Sequence, residues 1–265
     1  MAEVKALKVK MEAVTASFRY PRIQVGRLPT FDMPPPATVY GHLAGVIGEW
    51  FEPEGLEYSC VFQHAGKGTD LETSQPIAKG SGRASASYRR LGWDYPVNVE
   101  CEPTPQRREF LLHPRMTLYL GGPESLLQRL GNAFVSPVFA YVLGRSQDLA
   151  ACLSVEFAEL AESEEAYFSH TLLPYDWRPW IVPGISVYMP SAIDYRRQRQ
   201  AVQERYVEVT WPPLKVYSGT RDSINRSALP ARFLVDEGDR REFSDRILPR
   251  GVWFLPVKGP CGETT

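Results

Sequence analysis

Arginine and lysine hold phosphates, and aromatic rings stack under unpaired bases, so a segment that interleaves the two types is a candidate for binding single-stranded nucleic acid. The stretch KGSGRASASYRRLGWDYPV is such a segment: Lys79, Arg83, Arg89 and Arg90 stand among Tyr88, Trp93 and Tyr95. An exposed hairpin whose charges only keep it soluble has the same composition, and both readings stay open. Arg115 and Tyr119 fall on one face of an alternating pattern, where they would serve a phosphate and a base, or simply face solvent. Enzyme chemistry is less visible. His42, His64, His113 and His170 are scattered, and neither a G-x-S-x-G elbow nor a Cys–His arrangement occurs. GKGTD at Gly66 lacks the Walker pattern and GSGRAS lacks the third glycine of a dinucleotide loop, so no cofactor is indicated. The acidic run EFAELAESEE reads as a solvated strand end and turn, so no metal site is expected.

The composition bounds the partner. Thirty basic residues balance 31 acidic ones, for a formal charge of −1, so any nucleic-acid contact must come from a local patch. A hydrophobic content of 43% supports a sizeable core. Cys60, Cys101, Cys152 and Cys261 form no C-x-x-C pair, and free thiols in a reducing cytoplasm are expected. Neither a signal peptide nor a membrane span is expected from the apolar runs.

The elements that must carry these residues follow from periodicity. Leu7, Val9, Met11 and Ala13 alternate with Lys8, Lys10 and Glu12, which predicts a half-buried strand. After a proline-rich loop, Thr38 is a candidate cap for a helix whose Val39, Leu43, Val46, Ile47 and Trp50 form one apolar stripe. A strand is expected over 56–64. Residues 65–107 are polar and too long for an ordinary connection, which suggests a functional protrusion. Phe110, Leu112, Met116, Leu118 and Leu120 predict a further strand, with Pro114 marking an edge or bulge. GGPESLLQRLGNAF predicts a helix starting near Pro123, and Leu153, Val155 and Phe157 a strand.

The order strand, helix, strand, insertion, strand, helix, strand is that of an α+β ferredoxin-like domain, the RNA-recognition-motif topology, over residues 1–164. ISVYMP, ERYVEVTW and GVWFLPV predict a smaller, mostly β region over 165–265, around the basic DYRRQRQAVQERY.

The first helix poses its own question, because Gly41, Gly45 and Gly48 lie inside or at the end of it and each interior glycine costs about 1 kcal/mol against alanine. A bare helical face admits another backbone, of protein or nucleic acid, or packs against the sheet. The helix N-terminus after Pro34, Pro35 and Pro36 would offer amides to a phosphate, with Thr38 and Gly41 nearest.

ASFRYP at Ala16, PTFDMPPPATVYGHLAGVIGE over 29–49 and LGRSQDL over 143–149 together resemble the Cas-five family of CRISPR-associated proteins, most closely its type I-B branch. The resemblance is clearest over residues 5–150. It implies a fold in which an RNA-recognition-like domain carries a long β-hairpin thumb, where 65–107 would be the thumb. It implies a subunit that holds the 5′ handle of CRISPR RNA, touches a Cas-seven backbone subunit and the Cascade large subunit, and meets target DNA through the complex. Phe18 and Arg19 match the family's "sFR", Pro35, Pro36, Thr38 and Gly41 its turn into the helix, and Gly144, Arg145 and Ser146 its "GRS" loop. Tyr40 in that helix joins the candidate RNA contacts.

One branch of the family resembles a metal-independent ribonuclease that cuts precursor RNA, with tyrosine, lysine and histidine as acid–base groups and the 2′-hydroxyl as nucleophile. Tyr40, His42 and His113 are the residues available for that chemistry. No lysine adjoins His113, and Arg115 is a poor proton donor or acceptor. The expectation is therefore a non-catalytic RNA-binding scaffold.

Overall fold

A computed structural model describes residues 4–23, 26–74, 77–81, 86–92, 98–101, 103–181, 184–194, 200–220 and 229–260. The alternation around Leu7 produces the strand Val4–Ala13, which lies at the centre of the molecule. It pairs antiparallel with Arg115–Gly121 on one side and with Ala150–Ser163 on the other. Glu57–Gln63 pairs antiparallel with the outer edge of Arg115–Gly121. Counted along the chain, these four strands stand side by side in the order second, third, first, fourth. The helices Pro36–Ile47 and Glu124–Val135 share one face of them. Val39, Leu43, Leu127 and Leu130 are buried against Leu7, Val9, Met11, Leu118 and Leu120, each side chain contributing about 1.5–3 kcal/mol.

The strand predicted over 110–120 is two strands in two sheets. Thr104–Leu112 ends at His113, which turns at a φ of 47°, and Pro114 leads into Arg115–Gly121. Hydrogen bonds from the His113 amide to the Val14 carbonyl and from the Ala13 amide to the Pro114 carbonyl fix this corner. Thr104–Leu112 instead pairs along its whole length with Gly66–Ser74. Beyond them Ile77–Ser81 pairs with Asn98–Cys101, and Ala86–Arg90 forms a short helix between those strands. The described strands of the 65–107 insertion thus pair as a long hairpin. Its root is held by Thr15–Ala16 and Arg27–Leu28, both paired to Thr104–Leu112.

The rest of the chain adds strands at both edges of the central sheet. Thr171–Pro174, Gln200–Val209 and Ile185–Asp194 continue it past Glu57–Gln63. Phe233–Glu242, Ile247–Gly251, Glu165–Phe168 and Leu214–Tyr217 continue it past Ala150–Ser163, and the short Leu255–Pro256 pairs with Glu57–Gln63, giving twelve strands among the described residues. This return covers the face opposite the helices, where Ala6, Tyr119 and Leu160 pack with Val61 and Val252. Val4–Ala13 is therefore not simply half-buried: Lys8 lies in the interior and its ammonium meets the Asp236 carboxylate at 2.5 Å. Among the described residues no helix is long and apolar enough to cross a membrane.

Candidate nucleic-acid interface

The sFR and GRS segments, far apart in sequence, are one structural unit. Phe18–Arg19 pairs with Thr30–Phe31, and strand alternation sends the two side chains opposite ways. Phe18 points inward, 3% exposed, its ring edge-on to Phe62 at 5.4 Å. Contrary to expectation it is a core residue with no face left for RNA. Arg19 is exposed. The Ser17 amide donates to the Leu143 carbonyl at 3.2 Å, and Gly144 follows at a φ of 109°. A Cβ on Gly144 would lie 2.0 Å from the Ser17 carbonyl oxygen, so only glycine lets the loop close on the strand.

Arg145 is the hub of this closure. Its Nε and Nη2 donate to the two oxygens of Asp148 at 2.9 Å each, and Nη1 donates to Glu72 Oε1 at 2.9 Å. The guanidinium also sits 3.5 Å from Asp70 and 5.6 Å from the centre of the Phe110 ring. Asp148 further accepts from Thr15 at 2.5 Å, and Glu72 from Arg108 at 2.5 Å. Burial opposes ionisation of Glu72, but the Arg145 and Arg108 hydrogen bonds outweigh it and hold the carboxyl below its usual range. Asp148, with Glu72, raises the Arg145 pKa still further. With 11% of its side chain exposed, Arg145 is not offered to a phosphate. The expected handle contact is instead a clamp between the GRS loop and the hairpin root. Ser146 beside it is exposed. Asp148, three residues on in the same motif, was the available signal for this role; Glu72, across the hairpin, had none.

The turn into the first helix also differs from expectation. Thr38 does not cap it: the N-cap is Pro35, whose carbonyl accepts from the Thr38 and Val39 amides at 2.8 and 3.2 Å. Pro35 and buried Pro36 have no N–H, so the Ala37 amide is the donor left in the first turn, and this end is a poor phosphate cradle. Tyr40 is 4% exposed and its hydroxyl donates to the Phe51 carbonyl at 2.8 Å, which makes it a core residue too. Gly41 is exposed, and no atom lies within 4 Å of where its Cβ would be; the same holds for Gly45. Gly48 ends the helix at a φ of 89°, so Trp50, beyond it and 52% exposed, does not join the apolar stripe.

The hairpin carries the remaining candidates. Tyr88, Arg89 and Arg90 are exposed on Ala86–Arg90. Lys79 lies on Ile77–Ser81, while Arg83 and Trp93 fall outside the described residues. Arg115 is exposed, with Glu12 3.9 Å away. Tyr119 is a correction: it is 1% exposed and its hydroxyl donates to Asp236 at 2.7 Å, because the C-terminal return occupies the sheet face on which a base would stack.

The profile of the family described as "CRISPR-associated protein (Cas_Cas5)" matches residues 6–233. The chain belongs to this Cas-five family. No curated protein sequence matches it. A solved chain titled "CRISPR RNA-guided surveillance complex" is similar with a TM-score of 0.50 at 15% identity, over 83% of this chain and 97% of that one. A CRISPR protein from Archaeoglobus fulgidus gives a TM-score of 0.40 at 13% identity, over 93% of this chain and 99% of that one.

In this Cas-five chain the acid–base candidates do not converge. His42 is buried and hydrogen-bonded to the Tyr141 hydroxyl at 3.1 Å, and burial pushes its pKa down to about 4. Tyr40 borders a small cavity beside Gly41 and Trp50, whereas His113 lines a separate groove with Glu12 and Arg115.

Proposed function

We propose that this Cas-five protein is a non-catalytic RNA-binding subunit of a type I Cascade complex, holding the 5′ handle of the CRISPR RNA and capping the Cas-seven backbone beside the large subunit. The observation that carries the reading is the hairpin. It presents Tyr88, Arg89 and Arg90 to solvent and is tied by Arg145 and Glu72 to the loop and strand that match the family. The second–third–first–fourth strand order with both helices on one face supports an RNA-recognition-like domain as its base. A cytoplasmic location and contact with target DNA through the complex accompany this reading.

The test incubates the protein, with EDTA and separately with magnesium, with a labelled repeat RNA and with guide RNA bearing its handle. Retention of the handle-bearing RNA without cleavage is expected. A specific, metal-independent cut in the repeat would make the protein the processing nuclease and overturn the scaffold reading.

A further inference from the structure

The C-terminal return covers only part of the sheet face opposite the helices. Lys8 and Tyr119 lie side by side beneath it. The next row on that face runs Val209, Thr171, Val61, Thr117, Lys10 across five strands, and Lys10 at its end is exposed. Strand alternation keeps Gln63 and Arg115, two residues further toward the end of the sheet, on the same face, and both are exposed. At the other side of this rim stands Trp211, two residues after Val209 and 63% exposed. It meets the same face through Arg241, whose guanidinium lies 4.9 Å from the centre of the indole ring. Arg241 belongs to Phe233–Glu242, the return strand whose Asp236 bonds Lys8 and Tyr119 on that face.

Charge separates Arg241 from its neighbours. Arg240, Arg246 and Arg250 are paired with Glu237, Glu165 and Asp239, whereas among the described residues no carboxylate pairs with Arg241. Its guanidinium braces one face of Trp211 and keeps its N–H edges for an anion. Arg115 stands three strand spacings away, roughly 14 Å. Its nearest carboxylate, Glu12, is 3.9 Å off, and both side chains are exposed, so this pair binds it weakly. The rim thus combines an exposed aromatic ring with arginines and a lysine that other charges leave largely free. That combination matches unpaired nucleotides, whose bases stack and whose phosphates are anionic.

We propose that this rim is a track for a short run of unpaired nucleotides of the bound RNA, with one base stacked on Trp211 and the backbone leading past Arg241 toward Arg115 and Lys10. The assignment rests on the RNA-binding reading above and extends the contact surface from the hairpin to the C-terminal return.

The test places 4-thiouridine at each position of the guide RNA handle in turn, irradiates it with the protein alone and with the reconstituted complex, and sequences the crosslinked peptides. One position is expected to crosslink to the peptide containing Trp211, and a nearby position to the one containing Arg115. Trp211→Ala should lower RNA affinity about five- to a hundredfold with its unfolding midpoint unchanged. Trp211→Phe keeps a stacking ring and should keep most of the affinity; Arg115→Ala should lower the salt slope by about 0.7. RNA retained without any crosslink to Trp211, or bound at full affinity by Trp211→Ala, overturns the track alone. So does a Trp211→Ala protein that binds RNA normally but no longer joins the other subunits, which would make the tryptophan a protein contact. Failure of the wild-type protein to retain any handle RNA, alone and in the complex, overturns the RNA-binding reading and the track with it.

Discussion

Arg19 and Arg145 are both arginines in family motifs, yet their surroundings assign them different work. Asp148, whose side chain is fully buried, has its charge partner in Arg145, whereas Glu72 also keeps Arg108. Arg145→Ala would leave the buried Asp148 carboxylate without its counter-charge and should cost about 3–5 kcal/mol in denaturant unfolding, leaving the salt slope of RNA binding unchanged in the folded protein. Arg19→Ala should leave stability within about 0.5 kcal/mol and lower that slope by about 0.7, because an exposed arginine on a phosphate releases counterion. The reverse pattern would return Arg145 to the RNA contacts. A second residue-scale expectation concerns protons. Glu208 is 4% exposed with Oε1 lacking a partner, and burial, aided by the Asp32 charge, pushes its pKa from 4.5 up to about 7. The fold therefore holds a proton that the unfolded chain gives up. This contribution is fully present below about pH 4.5 and is lost as pH rises through about 7, a change of at most about 3 kcal/mol. Unfolding measured across that range should lose this slope in Glu208→Gln. His42 acts in the opposite sense: with its pKa pushed from 6.5 to about 4 by burial, its contribution is lost as pH falls through that window. A Glu208→Gln protein with an unchanged profile would place the falling slope elsewhere.

At the scale of elements, the first helix separates two reasons for glycine. Gly48 adopts a left-handed φ at the helix end, and its Cβ would come within 2.6 Å of Val138. Gly41 and Gly45 are helical and face open space, so nothing within the chain requires them. Gly41→Ala and Gly45→Ala should each stabilise the isolated protein by about 0.4–1 kcal/mol, while Gly48→Ala destabilises it, all read from thermal or denaturant midpoints. If the open face receives a partner backbone, Gly41→Leu should assemble poorly into the complex while remaining folded; loss of soluble folded protein would favour a packing role. The helix and the central strand were legible because burial imposes their periods on the sequence. The cap was not: Thr38 has the preferred side chain, but the Pro35 carbonyl takes the first amides before a hydroxyl is needed. The break at His113 was hidden by phase, since Leu112 and Met116 fit one alternating register even though the chain passes between two sheets there. Only Pro114 marked it.

At the scale of the molecule, the decisive feature is the C-terminal return across the sheet. Sequence periodicity assigns Tyr119 a face but cannot say what covers that face, because its cover is Asp236, more than a hundred residues later. Lys8, Tyr119 and Asp236 form a buried polar contact that ties the return to the central strands. Burial raises the Asp236 pKa, but hydrogen bonds from Lys8 and Tyr119 outweigh it and hold the carboxyl below its ordinary range. Such a contact contributes chiefly by leaving no charge unpaired, so breaking it on one side should be far worse than removing it whole. Asp236→Ala should cost about 3–5 kcal/mol in denaturant unfolding, and the double variant Lys8→Met with Asp236→Leu should recover most of that loss. Tyr119→Phe removes one hydrogen bond and should cost about 0.5–1.5 kcal/mol, with retention of handle RNA unchanged because the ring never meets solvent. Loss of RNA binding by Tyr119→Phe at unaltered stability would mean that the return lifts from the sheet to admit a base, and the RNA path would then run across that face.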